Sequence, residues 1–323
     1  MNARPTAPPS LTRLQDLTEA GLMPAEAAKA AEAVAAHYAV AISPEMAALI
    51  NPDDPGDPIA LQFIPDPREL FTLTEESPDP LHDAAFSPVP GIVHRYADRV
   101  LLKALHACPV YCRFCFRRAV VGPGGESLDA EALARAIAYI ASQPSIFEVV
   151  LTGGDPFMLS ARRVRDLTER LSAIPHVQVL RWHTRVPVVS PSRVSDAFAQ
   201  ALGSEKAVFV AVHANHPREF TQAAGEALKR LRAAGVGLVS QSVLLKGVND
   251  DVETLDALMR AFLRHQVKPY YLHQGDLAPG TSHLRTTIDE GRALITALRA
   301  RISGLAMPAY VLDDGGVLSK QPL

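Results

Sequence analysis

From Val100 to the C-terminus, short runs rich in Val and Leu alternate with amphipathic stretches of helical length, and this alternation constrains the fold more than any other feature. The runs Val100–Leu105, Val149–Thr152, Val177–His183, Ala207–His213, Gly237–Leu245, Lys268–His273 and Ala309–Leu312 read as strands. Between them, LDAEALARAIAYIAS, ARRVRDLTERLSAI, PREFTQAAGEALKRLRAAG and DVETLDALMRAFLRH repeat apolar residues three and four apart, as one face of a helix does. Strands separated by helices build a parallel sheet, because each crossover returns the chain to the same end. The number of such units suits a complete or partial (β/α) barrel over residues 91–323.

Residues 1–90 differ in kind. The first ten are Pro-rich and expected to fray, and Leu11–Leu49 is Ala-rich with a helical period. From Asn51 to Pro90, prolines in NPDDPGDP, FIPDPREL and EESPDPL block any continuous helix. This part is expected to wrap the barrel as short helices and extended segments. The net charge of −3 offers no electrostatic case for nucleic acid or a membrane surface. No apolar run approaches the ~20 residues of a bilayer span, and MNARPTAPPSLTRLQDL lacks the apolar core of a signal peptide. A cytosolic location is therefore expected, where thiols stay reduced.

Chemically distinctive residues gather at the predicted strand ends: Cys108–Cys115, Gly153–Pro156, His183–Arg185, His213–Pro217, Asp276 and Asp313–Lys320. Catalytic groups of (β/α) barrels come from that rim. All the cysteines lie in CPVYCRFC. Three thiolates can ligate three irons of a [4Fe–4S] cubane and leave the fourth iron open. A Cys3His zinc site with His106 is the competing reading, although zinc more often takes paired C-x2-C spacings. Buried, inert thiols are the third. Spacing and position after a strand favour the cluster.

C-x3-C-x-aromatic-C, with Phe114 as the aromatic, resembles the signature of the radical S-adenosylmethionine superfamily, and Gly153-Gly154-Asp155-Pro156 resembles its glycine-rich motif near the methionyl amine. The resemblance narrows to the lysine 2,3-aminomutase family, which includes the elongation factor P β-lysylation proteins. It is carried from about Asn51 onward by VPGIVHRYADRVLL, CPVYCRFCFRR, LTGGDP, HTRVPVV, HANHP, QSVLLKGVNDD, YYLHQGD and YVLDDGG…K. It implies a cluster on Cys108, Cys112 and Cys115, with Gly153, Gly154, Asp155 and Gln241 among the cofactor-binding residues. It also implies pyridoxal 5′-phosphate, with Lys320 as the lysine that bonds it and Arg95, Tyr96 and Arg99 as its contacts. The run before that lysine is reduced here to GGVLSK. By the same likeness Arg117 would clamp the substrate α-carboxylate, while Asp276 and Asp313 would hold its side-chain ammonium.

The implied reaction moves the α-amino group of L-lysine to C3, giving β-lysine through a 5′-deoxyadenosyl radical and a pyridoxal phosphate aldimine. A reducing electron donor is the implied partner, and a homo-oligomer is left open. Three alternatives stay open at this point: the same isomerisation serving elongation factor P, a radical enzyme for another amine, and a non-catalytic iron–sulfur or zinc protein.

Overall fold

The computed structural model describes residues 9–315 and 319–323. Its frame is one nine-stranded sheet whose strands lie side by side in chain order. They are β1 (Ile92–Val93), β2 (Arg99–Leu105), β3 (Glu148–Gly153), β4 (Val179–Thr184), β5 (Ala207–His213), β6 (Gly237–Val243), β7 (Lys268–His273), β8 (Ala309–Leu312) and β9 (Gln321–Pro322). Pairing from β2 through β8 is parallel, whereas β1 on β2 and β9 on β8 are antiparallel. The expected strands are therefore present as β2 to β8. The sheet does not close on itself, so the barrel is partial, with β1 and β9 at its two edges.

Helices at Ala130–Ala141, Ala161–Ser172, Gln222–Ala233, Val252–Arg264 and Ile288–Arg299 cover the outside. Each starts at a side-chain cap: Asp129, Ser160, Thr221, Asp251 and Thr287 accept from backbone amides of the first turn. One face of each is apolar. In the fourth, Leu255, Leu258, Met259 and Phe262 are buried against the sheet, each contributing about 1.5–3 kcal/mol. The stretch expected to be helical from Pro217 is split. Pro217–Glu219 forms a 3-10 turn, and the α-helix begins only after Thr221, whose capping geometry is extended.

Residues 11–49 form four short helices: Leu14–Glu19, Ala25–Ala30, Glu32–His37 and Pro44–Ala47. Gly21, at φ +68°, and the extended Pro24 end the first and start the second. The expected fraying of the first ten residues falls mainly on 1–8, outside the described residues, as do Gly316 to Leu318 of GGVLSK. Among the described residues no helix is long and apolar enough to cross a membrane.

Candidate active site

The carboxyl ends of β2 to β8 open onto one pocket of about 350 Å3, lined by the three cysteines and by every residue expected to contact cofactor or substrate, whereas His106, Pro156 and Asn215 to Pro217 lie outside its lining. The cysteine loop leaves β2 through a bulge, where the register with β3 slips between Lys103 and Leu105. Gly153 and Gly154 let the end of β3 lie directly on this loop. Gly154 N donates to Leu105 O at 2.8 Å and Asp155 N to Ala107 O at 2.9 Å. A Cβ on Gly154 would stand 2.4 Å from Ala107 O, and Gly153 adopts φ +106°. Only glycine fits this approach.

The loop is also gripped from below. Glu69, in the 3-10 turn Pro67–Leu70, accepts from both Arg113 and Arg118, and all three side chains are buried. Arg118 further donates to Gly280 O at 3.0 Å and lies over the Tyr38 ring. The N-terminal segment thus builds the floor of the cysteine loop.

Burial pushes all three thiols up, Cys115 to about 12 with help from neighbouring Cys112. Such thiols keep their protons until a metal centre replaces them. Among the described residues no three His, Cys, Asp or Glu side chains converge as ligands of a single ion, and His106 is absent from the pocket lining. A cubane takes its three cysteine ligands on three different irons. Three buried nitrogens at the pocket wall have no hydrogen-bond partner: His183 Nε2, His213 Nε2 and Arg185 Nε. Orphaned polar atoms beside a thiol triad fit a bound polar ligand.

Asp155 is occupied within the protein. Its carboxylate accepts from Thr184 Oγ1 at 2.6 Å, Arg185 N at 2.7 Å, Phe157 N at 3.0 Å and Val186 N at 3.2 Å. It straps the loop after β3 to the loop after β4. Gln241 lies on β6 beside a second register slip.

The far side of the pocket carries the charges. Asp313, just past β8, accepts from Arg95 and from Lys320. Burial pushes its carboxyl up, but the two cations outweigh this and hold it below the usual range. Arg95 also donates to Tyr96 OH, and the Arg99 guanidinium stacks 3.8 Å from the Tyr96 ring centre. Lys320 is aimed inward because β9 pairs with β8 immediately after it, and Leu323 N donates to Tyr310 O at 3.0 Å. Asp276, past β7, is enclosed by protein around the pocket. Burial and the neighbouring Asp313 carboxylate push it up to about 7. Arg117 donates through Nε and Nη2 to Asp83 at 3.1 and 2.9 Å, with Lys103 also at 3.4 Å from that carboxylate.

Asp83, Gln62, Glu69 and Glu219 belong to this site without having been expected there. The three acids lie in 3-10 turns, where acidic residues are common as caps, and Gln62 in the short helix Ala60–Phe63. Glu219 does close a capping box with His216, so its local signal was that of a helix start.

A partial parallel (β/α) barrel with a three-cysteine loop after its first parallel strand defines the radical S-adenosylmethionine class. The sequence profile of the Radical SAM superfamily matches residues 103–258. L-lysine 2,3-aminomutase from Clostridium subterminale is 40% identical over 284 residues, covering 88% of this chain and 68% of that protein. A putative L-lysine 2,3-aminomutase from Aquifex aeolicus is 40% identical over 287 residues, covering 88% and 78%. Glutamate 2,3-aminomutase from Clostridioides difficile is 36% identical over 290 residues, covering 90% and 68%. The chain belongs to the lysine 2,3-aminomutase family, a group of radical S-adenosylmethionine isomerases acting on amino acids.

Proposed function

We propose that the protein converts L-lysine to β-lysine by moving the α-amino group to C3. The observation that carries this reading is Asp276, enclosed at the pocket wall beside a second carboxylate, Asp313, with the guanidinium of Arg117 among the charges it feels. Two acids would repel the side chain of glutamate and attract that of lysine, while a planar guanidinium suits the α-carboxylate.

When bound, the cluster with S-adenosylmethionine would supply a hydrogen-abstracting carbon radical, and pyridoxal phosphate would supply a covalent handle for the migrating nitrogen. Cys108, Cys112 and Cys115 would hold the cluster. Arg95, Tyr96 and Arg99 are the donors suited to a phosphate, and Lys320 is the amine suited to the aldehyde. Gly153, Gly154 and Gln241 would face the methionyl and nucleoside parts, with Asp155 fixing the loop behind them. Lys320 Nζ donates to Asp313, and the ε-ammonium of a lysine substrate carries the same charge. Substrate would therefore compete with Lys320 for Asp313, which couples substrate entry to release of the Lys320 amine. Arg117 would exchange Asp83 for the substrate carboxylate.

The test is anaerobic turnover with reconstituted cluster, pyridoxal phosphate, S-adenosylmethionine and dithionite, offering L-lysine and L-glutamate separately. Mass-resolved chromatography should show β-lysine from lysine and no β-glutamate. Conversion of glutamate, or deoxyadenosine without β-lysine, would overturn the substrate assignment.

A further inference from the structure

Behind the cysteine loop lies a buried polar chain that binding of cofactor and substrate leaves unexplained. Arg185, just past β4, is 5% exposed. Its Nη1 donates to Cys112 Sγ at 3.0 Å. Its Nη2 donates to Gln62 Oε1 and, at 2.9 Å, to Glu219 Oε2. Glu219 has no exposed surface. Its other oxygen accepts from Asn215 N and His216 N, both at 2.9 Å, and from Gln62 Nε2 at 3.3 Å. Gln62 is held in turn by Asn215 Nδ2 at 3.1 Å. The guanidinium packs between Phe63 and Phe114, 4.7 and 5.5 Å from their ring centres. Every group is fixed on more than one side, so this is a rigid ion pair with its positive end on a cysteine sulfur.

We propose that Glu219, acting through Arg185, sets the reduction potential of the cluster. One-electron reduction of a [4Fe–4S] centre adds one negative charge to cluster and thiolates together. A guanidinium donating to a ligating sulfur stabilises that added charge and raises the potential. A carboxylate directly behind the guanidinium opposes it, and low local dielectric keeps both effects strong. Cys112 therefore feels a cation whose influence Glu219 tempers. Glu219 is a positioning residue: it touches no reacting atom. Gln62 brings the N-terminal segment into the same circuit, so that segment contributes to the cluster's electronics as well as to its shelter. The inference rests on the radical S-adenosylmethionine class and is independent of the lysine assignment.

The experiment is a dithionite titration of the anaerobically reconstituted full chain, followed by electron paramagnetic resonance of the reduced cluster, with iron and sulfide content measured on each variant. Glu219→Gln removes the negative charge and should raise the potential. Arg185→Met removes the donor, leaves the carboxylate uncompensated, and should lower it. Each change should alter the reduced-to-oxidised ratio at fixed potential at least tenfold, equivalent to about 59 mV for one electron. Arg185→Lys keeps the charge with poorer reach to the sulfur, and should lower the potential by less. It decides the matter if either other variant fails to retain iron. Potentials unchanged from wild type, or shifts of Glu219→Gln and Arg185→Met in the same direction, would overturn the proposal. Wild-type chain that bound no iron–sulfur cluster would instead refute the class.

Discussion

Replacing Asp276 by Asn should make the protein more stable and less able to bind its substrate. The carboxyl is raised from 3.8 to about 7, by burial first and by Asp313 second. At ~1.36 kcal/mol per pH unit that rise is worth roughly 4 kcal/mol. Water in the pocket screens part of it, and about 2 kcal/mol is the working figure. The sign follows from proton linkage. The folded state holds this proton more tightly than the unfolded chain, so the folded state is penalised as pH rises from 3.8, with the full penalty above about 7. Asn carries no such penalty. At pH 8 the variant should exceed wild type by about 2 kcal/mol, a Tm gain of roughly 3 °C for a chain of this size. At pH 5 the linkage for a penalty of that reduced size leaves about two-thirds of it. Scanning calorimetry at both pH values reads the difference directly. A variant less stable at pH 8, or a gain equal at the two pH values, would refute the assignment of a penalised, ionisable Asp276. With cofactors bound, L-lysine should raise the Tm of wild type and barely move that of Asp276→Asn, because the ammonium has lost one counter-charge.

Glu69→Gln should lower stability by about 3–5 kcal/mol, since it leaves Arg113 and Arg118 buried without their carboxylate; denaturant titration would show it as a lower midpoint. Gly154→Ala should abolish stable cluster binding, because its methyl would meet Ala107 O at 2.4 Å; iron analysis after reconstitution tests this, and full iron content would contradict it. Lys320→Ala should eliminate the borohydride-trappable adduct with pyridoxal phosphate while leaving iron content unchanged. A trapped adduct on the variant would remove Lys320 from its proposed role.

The parallel strands and the helices after them were legible because each is a long element with a clear period, buried on a predictable face. The two edge strands were not. Ile92–Val93 and Gln321–Pro322 are two residues each, too short for any period, and they exist because the neighbouring strands offer unpaired backbone. In the N-terminal segment the Ala-rich helical period was legible, but the points where Gly21 and Pro24 divide it into short helices were not, because they act locally. Site residues were legible where chemistry is rare in composition, as with three cysteines in one loop, or where a likeness marked them. Glu219 and Glu69 went unnoticed because their importance arises from burial. Nothing in a linear string distinguishes an exposed capping glutamate from one sealed against arginine at the bottom of a loop.

The open seam of the barrel carries a consequence of its own. β1 and β9 do not pair among the described residues, and side-chain charge bridges the gap beside them: Arg95 reaches Asp313 and, at 3.5 Å, Asp314 O. A row of strand hydrogen bonds comes apart only by cooperative unzipping, whereas a charge clasp can exchange partners one ion at a time. The ion pairs at this seam are made by the groups proposed to grip the ligands. Amide exchange at Leu312 and Gln321 should slow once Arg95 and Lys320 are engaged by phosphate and aldehyde, and the strands on the opposite side of the sheet, β4 and β5, should scarcely notice.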